Sequence, residues 1–245
     1  MSDIGFGSPQ GPELESLARK CFENGRASRC PHGTYIVWAL GQGIELWVQL
    51  NQREELIGLN PHFSGKTCLS LGLVQRIERD GFPMDGGFLS TALPTAGDPG
   101  HGAFQFVFDV PDFRIHDEVN LPLLKPIQLC AFAQQCSIFE SEAAYRAVAA
   151  KRGFSLSSDA FVPSGFFDGE RRRMAEPLAS AMICGNIAEV VEIVNPLTRN
   201  RFFQIQVLTC IGKVDVVADA ELLPQRAKPG QLLQCSVWLS GKISR

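Results

Sequence analysis

The stretch TYIVWAL-GQG-IELWVQL, residues 34–50, constrains the fold of this chain more than any other. Two runs rich in β-branched and aromatic residues flank a short turn that contains glycine, which is the pattern of an antiparallel hairpin. Further along, KTCLSLGLVQRI alternates, so that Leu69 and Leu71 face one side of a strand and Ser70 faces the other. AFQFVFDV has the composition of another strand. The sequence therefore predicts mostly antiparallel β structure over residues 30–115.

Two helices are expected beside these strands. Apolar residues recur at helical spacing between Glu13 and Glu23, which predicts a short amphipathic helix there. The segment SEAAYRAVAAKRG predicts a second helix, with Ser141 as its N-cap and Gly153 as its stop. Residues 1–12 are rich in Gly, Pro and Ser and are expected to be mobile.

Four segments with strand composition follow one another near the C-terminus: AMICGNIAEVVEIVN, RFFQIQVLTC, KVDVVADAEL and LLQCSVWLSGKI. A long first strand that contains Gly185 is followed by a hairpin, a third strand, a Pro/Gly loop and a closing strand. This order resembles the OB-fold, a small five-stranded barrel. The resemblance covers about the last quarter of the chain and includes no diagnostic motif, so it implies a fold and no residue-level function.

The predicted fold class is therefore α+β and β-rich: an antiparallel N-terminal α+β region followed by a small OB-like β-barrel. The segment SLSSDAFVPSGFFDGERRR is polar with scattered aromatic residues, which is typical of a boundary between two halves. We expect an α+β domain over residues 13–168, a linker at 169–177 and the barrel domain at 178–245.

Composition excludes several classes of protein. Apolar residues make up 45% of the chain and charged residues 20%, as in soluble globular proteins. No window approaches eighteen consecutive apolar residues, so no membrane contact is expected. The N-terminus lacks the basic and apolar regions of a secretion signal. Eight irregularly spaced cysteines without a Cys-x-x-Cys pair are then expected to be reduced thiols in a cytoplasmic protein.

A partial phosphate-binding motif occurs in GLNPHFSGKT, residues 58–67. Gly65, Lys66 and Thr67 match the end of a P-loop, but Asn60 stands where the motif requires its first glycine. The residues that follow Thr67 alternate with period 2, which indicates a strand where a P-loop requires a helix. We interpret the motif as a turn into a strand rather than a nucleotide site.

The candidates for catalysis and metal binding are few. The four histidines lack the paired spacings of metal ligands, so no metal and no cofactor are predicted. A hydrolase site that gathers His101, Asp109 and Asp112 is one hypothesis, because Pro111 forces an extended turn between the two carboxylates. The other interpretation is turn chemistry, in which Asp accepts backbone N–H groups at a bend.

The uneven distribution of charge suggests a binding surface in the C-terminal part of the chain. Residues 170–245 carry ten Lys and Arg against seven Asp and Glu, whereas residues 1–169 carry thirteen against nineteen. Strand alternation places Phe203, Ile205 and Val207 on the core face and the residues between them outside. The resemblance to the OB-fold implies that this outer face binds ligands, and an exposed aromatic residue among cations suits single-stranded nucleic acid. The residues of that hypothesis are Arg199, Arg201, Phe202, Gln204 and Lys213.

The sequence favours a non-catalytic cytoplasmic binding protein, whose partner is another protein or a second copy of this chain. Three aromatic residues of one loop, Phe161, Phe166 and Phe167, have the composition of a contact patch, and they equally suit a seal between the two halves. Single-stranded nucleic-acid binding and hydrolysis at the domain junction are the two alternatives.

Overall fold

The structure, a computed structural model, describes residues 1–152, 157–166 and 176–243. Within these ranges the chain is β-rich and of the α+β type. The helices are α1 (Pro12–Asn24), α2 (Glu142–Arg152) and three short 3₁₀ helices, Ser2–Ile4, Phe113–His116 and Ala220–Leu222. The strands are β1 (Arg26–Cys30), β2 (Gly33–Gly41), β3 (Ile44–Asn51), β4 (Leu56–Phe63), β5 (Leu69–Glu78), β6 (Gly86–Ala92), β7 (Phe104–Asp109), β8 (Leu123–Phe139), β9 (Phe161–Pro163), β10 (Ser180–Val194), β11 (Arg201–Thr209), β12 (Gly212–Asp219) and β13 (Leu232–Ile243). None of the helices in the described ranges has the length and apolar character needed to cross a membrane.

β2 and β3 form the antiparallel hairpin predicted for residues 34–50. The turn has two residues instead of the three of the predicted Gly-Gln-Gly turn, because Gly41 pairs with Ile44. Those residues, Gln42 and Gly43, have φ values of 52° and 84°. Positive φ at both positions is typical of a type I′ turn, whose twist matches that of the strands it joins.

The hairpin belongs to sheet 1, whose strand order is β1-β2-β3-β4 with antiparallel pairing throughout. β3 is buried on both of its faces. On one face, Leu46 and Val48 pack against Leu17 and Cys21 of α1 in a shared apolar cluster. The spacing of Leu17 and Cys21 places them on one side of α1, and that side covers the sheet.

Sheet 2 has nine strands in the order β11-β12-β8-β5-β6-β7-β13-β10-β9. Further pairings join β10 to β11 and β8 to β13. Five strands therefore pair in the order β11-β12-β8-β13-β10, and β10 pairs again with β11. The pairing of β12 with β8 is parallel, and the other four of these pairings are antiparallel. β8 is 17 residues long and thereby reaches β5, β12 and β13.

The domain boundary expected at residues 169–177 separates strands that belong to one continuous sheet. β12 and β13 follow the division, yet both pair with β8, which precedes it. Without β8 each of the two strands would present an unpaired edge. Residues 169–175 of the expected linker lie outside the described residues.

The first six residues belong to the segment predicted to be mobile, but they pack against the rest of the chain. The side chain of Ile4 is fully buried and that of Phe6 nearly so. The Asn195 amide donates to the carbonyl of Ile4 at 2.8 Å, and the Thr198 hydroxyl donates to the carbonyl of Gly5 at 2.6 Å. Apolar burial together with satisfied carbonyls offsets the entropy lost when this segment is ordered.

A disulfide joins Cys136 of β8 to Cys235 of β13. This corrects the expectation that all eight cysteines are thiols. The two residues are directly opposite each other in the antiparallel pairing, and their Cα atoms lie 4.3 Å apart. They are 99 positions apart in the sequence, so only the long-range pairing of β8 with β13 brings them together. The other six cysteines form no disulfide with any described residue.

Phe161 and Phe166 do not form an exposed contact patch, which is one of the two interpretations of the aromatic loop residues. Phe161 is buried and its ring lies 5.0 Å from that of Phe106 and 5.9 Å from that of Phe104. Phe166 is half-buried against the same apolar core, and Phe167 lies outside the described residues. Within the described residues, this loop therefore contributes to the core.

The alternation predicted for β11 holds, but both faces of the strand are covered. Ile205 and Val207 belong to the core of sheet 2, as expected. Phe202 faces the other way and is fully buried, since its ring lies 6.0 Å from that of Phe63 of sheet 1 in an edge-to-face contact. The prediction that Phe202 is exposed is therefore wrong, because sheet 1 and α1 cover this side of sheet 2.

We expect the substitution Phe202→Ala to lower the free energy of unfolding by about 3–5 kcal/mol, the usual cost of removing a buried phenyl group. Leu208→Ala, at an exposed position of the same strand, serves as the control and should change stability by no more than about 0.5 kcal/mol. Urea denaturation followed by tryptophan fluorescence measures both. Equal effects of the two substitutions would contradict the packing described.

Candidate functional site

The second face of β3 is polar although it is buried. Ile44, Leu46 and Val48 point into the apolar cluster, so the residues between them point the other way. Those residues are Glu45, Trp47 and Gln49. Buried polar side chains need partners inside the protein, and this requirement organises the site.

Glu45 is held by several donors. The Lys242 ammonium lies 2.9 and 3.1 Å from its two carboxylate oxygens. Trp47 Nε1 donates to Oε2 at 3.0 Å, and the Ser64 hydroxyl donates to Oε1 at 3.0 Å. Burial raises the pKa of Glu45, but the positive charge of Lys242 and the hydrogen bonds from Lys242 and Trp47 act in the opposite direction, and the pKa is lowered overall. Glu45 is therefore an ionised, immobilised carboxylate.

His62 is fully buried beside this carboxylate. Its Nδ1 lies 2.8 Å from the Ser240 hydroxyl, and its Nε2 lies 2.9 Å from Oε1 of Gln128. An amide oxygen accepts, so Nε2 carries the proton and Nδ1 accepts from Ser240 in this arrangement. Burial lowers the pKa of His62, and the opposing attraction of Glu45 does not reverse it. His62 is therefore neutral at pH 7.

An open cleft of about 540 Å³ lies on this face of sheet 1, and we call it the Trp47 cleft. One wall consists of sheet 1 residues Arg26, Ser28, Val37 and Trp47. Asp112, Ile115 and His116 also line the cleft, and the remaining lining comes from Ser64, Gln128, Lys242 and Ile243. The volume falls within the range of about 300–1,000 Å³ that is typical of ligand sites.

A smaller cavity of about 110 Å³ is lined in part by Asp109, and we call it the Asp109 cavity. Arg79 and Trp238 donate to the two oxygens of Asp109 at 2.6 and 2.7 Å. Burial raises the pKa of Asp109, although Arg79 and Trp238 both favour the charged form. Ser240 also lines this cavity, so the Ser240–His62–Gln128 hydrogen bonds connect the Asp109 cavity with the Trp47 cleft.

The structure places the three predicted catalytic residues in separate surroundings. His101 is on an exposed loop and its Nδ1 lies 2.7 Å from an oxygen of Asp98. Asp109 lines the smaller cavity, whereas Asp112 lines the Trp47 cleft and contacts His116 at 3.2 Å. None of the hydrogen bonds between described residues joins one of these three to another.

The predicted nucleic-acid residues do not share one surface. Arg199 and Lys213 are exposed, and Arg201 is exposed in an ion pair with Glu192 at 3.0 Å. Phe202 is buried, and so is Gln204, whose amide donates to a buried carboxylate of β12 at 2.9 Å. The side chain proposed to stack on a base is therefore inaccessible from solvent.

The Ser-Gly-Lys-Thr segment binds an anion that belongs to the protein itself. The Thr67 amide and hydroxyl donate to one oxygen of Asp215 at 2.8 and 2.6 Å. Asp215 is fully buried. A Cβ atom at Gly65 would lie 2.2 Å from the same oxygen, so only glycine allows this approach. The segment ends at β5, which confirms the predicted turn into a strand.

The cysteine and histidine side chains do not form a metal site. Among the described residues, no group of three or more His, Cys, Asp or Glu side chains has the geometry to hold a metal ion. His32 instead contacts Asp117 at 3.2 Å, and the Cys30 thiol donates to the carbonyl of Gly33.

Apart from Asp112, the residues of the Trp47 cleft were absent from the sequence predictions. The signal that indicates them is the alternation in IELWVQLN, where Glu45, Trp47 and Gln49 share one face. The same register aligns Trp47 with Val37 on β2, and Val37 with Arg26 on β1, so one row of side chains runs across the sheet.

In comparisons with known proteins, no family model, no curated protein and no solved structure matches this chain. A proposal about its function therefore depends on the geometry of the cleft and on the strands that border it.

The burial of His62 makes stability depend on pH. A pKa below the ordinary value of about 6.5 means that the unfolded chain binds a proton that the folded protein does not. Stability is then complete above that ordinary value and is lost as the pH falls below it, by up to about 1.4 kcal/mol per pH unit. His62→Gln should remove this component between pH 7 and 5, and His101→Gln, at an exposed position, should retain it. Guanidinium denaturation at several pH values measures the slopes, and identical slopes for all three proteins would refute the assignment.

The contacts of Asp215 predict a second effect on stability. Thr67→Val removes the hydroxyl donor to a buried carboxylate at nearly constant volume, and should cost about 1.5–3 kcal/mol. Thr34→Val is the control, because the half-buried Thr34 hydroxyl donates to no other described residue. Thermal and urea unfolding compare the two, and a loss no larger than that of the control would contradict the contact.

Proposed function

We propose that this protein is a non-catalytic binding protein that takes an extended segment of a second protein chain along β1, with side chains of that segment in the Trp47 cleft. One observation carries the proposal: β1 is an edge strand of sheet 1, and its residues also form a wall of the cleft. An unpaired edge offers backbone hydrogen bonds, and an adjoining cleft offers a place for side chains.

The register of β1 shows which of its backbone groups are available. Cys30 pairs with Gly33 across a two-residue turn, an arrangement in which the two residues exchange hydrogen bonds. Alternation along the strand then directs the backbone groups of Arg26 and Cys30 toward β2. The groups of Ala27 and Arg29 point away from the sheet and can pair with an added strand.

Side-chain direction agrees with this use of the edge. Arg26 and Ser28 are two residues apart on β1, and both line the cleft. A strand added beside β1 would project alternate side chains over the same face. Backbone pairing then supplies affinity, and the cleft supplies selectivity for the inserted side chains.

The surroundings of the cleft suit a binding site. Glu45 and His62 are engaged with neighbouring side chains, so they support the wall of the cleft. In the same proposal, the five strands that pair in succession close a small OB-like barrel, which is the rigid body that carries sheet 1. The buried positions of Phe202 and Gln204 remove support for nucleic-acid binding at β11. The cytoplasmic location stays a prediction.

A library of displayed linear peptides of random sequence tests the proposal. The wild-type protein should enrich peptides, and synthetic copies of them should bind in titration calorimetry. Ala27→Pro removes one outward N–H donor without removing a bond to β2, and should weaken binding about tenfold. Ala27→Ser keeps the donor and should bind as the wild type does.

Unfolding curves of both variants establish that they are folded at the temperature of the measurement. Failure to enrich any peptide, or equal binding by Ala27→Pro and the wild type, would sink the proposal.

A further inference from the structure

We infer that the Trp47 cleft recognises an acidic side chain, Asp or Glu, of the segment that β1 binds. This inference rests on the proposed function and names the chemistry of the inserted group. It follows from two hydrogen-bond donors on residues that line the cleft, neither of which has an acceptor among the described residues.

The first donor is the amide nitrogen of Gln128. Its oxygen accepts from Nε2 of His62 at 2.9 Å, and this contact fixes the amide with its nitrogen turned away from the histidine. The nitrogen is buried and has no hydrogen-bond partner. Gln128 lines the cleft. A buried donor without an acceptor is costly, so an acceptor brought by a ligand stabilises the site.

The second donor is the guanidinium of Arg26. It is exposed at the rim of the cleft, and within the described residues it forms neither a hydrogen bond nor an ion pair. A guanidinium binds a carboxylate through parallel hydrogen bonds, which is the strongest class of side-chain recognition. Arg26 at the rim and Gln128 at the inner lining together suit an acceptor-rich anion.

The other charged groups of the cleft are already engaged. Lys242 binds Glu45, and Asp112 contacts His116 at 3.2 Å. Arg26 is consequently the charge of the cleft that remains unmatched among the described residues. Asp112 disfavours an anion close to it, so the carboxylate is expected on the Arg26 side of the cleft.

The cleft also has apolar lining residues, which suit the methylene groups of an acidic side chain. These residues are Trp47, Val37 and Ile115. The methylene groups of a Glu or Asp side chain pack against these residues while the carboxylate reaches the donors.

Two peptide libraries test the inference. Both consist of acetylated, amidated ten-residue peptides with randomised flanks, and they differ only in having glutamate or glutamine at the central position. On an array, wild-type protein should bind the glutamate library about tenfold more strongly, and this preference should fall as salt rises. Binding of both libraries to the same extent would overturn the inference and leave the proposed function standing. Binding of neither would overturn both.

Matched variants locate the recognition. Arg26→Gln and Gln128→Leu should each reduce the preference for glutamate, whereas Arg53→Gln should retain it, because Arg53 is an exposed arginine outside both β1 and the cleft. A preference unaffected by Arg26→Gln would place the carboxylate elsewhere and refute the inference. A third library, with central glutamine and a free C-terminal carboxylate, should bind no better than its amidated form. Stronger binding of that library would identify a chain end, and not a side chain, as the recognised group.

Discussion

The burial of β3 on both faces is the constraint on which the rest of the structure depends. One face is apolar and needs only α1 and the side of sheet 2 to cover it. The other face presents Glu45 and Gln49, and these groups lose water when the sheet docks. Each therefore needs an internal partner, and Lys242 and Asp85 supply them at 2.9 and 2.6 Å. The polar network of the site is the consequence of covering a strand that has one polar side.

The local elements follow from the sequence because their signals are local. Alternation predicts the β2–β3 hairpin, and the capping pattern at Ser141 predicts α2. The third backbone amide of α2 donates to the Ser141 hydroxyl at 3.2 Å. The faces of β11 follow in the same way. Each of these depends on residues a few positions apart, and the backbone geometry relates them directly.

The long-range arrangement does not follow from such patterns. The long strand β8 has the composition of a strand, but the sequence does not show that it pairs with β12 and β13 across the expected boundary. The Cys136–Cys235 disulfide depends on that pairing and was missed for the same reason. Alternation shows that Phe202 leaves the core of sheet 2, but what covers the other side depends on the docking of sheet 1. The cleft combines residues from both sheets, so it becomes visible only when that docking is known.

His62 is fully buried between Ser240, which lines the Asp109 cavity, and Gln128, which lines the Trp47 cleft. A neutral imidazole has one donor and one acceptor, so the direction of its contact with Gln128 dictates the direction of its contact with Ser240. If the Gln128 amide rotated by half a turn, the imidazole proton would move to the other nitrogen and the Ser240 hydroxyl would turn toward the Asp109 cavity. The orientation of this one amide therefore sets the direction of both hydrogen bonds of His62.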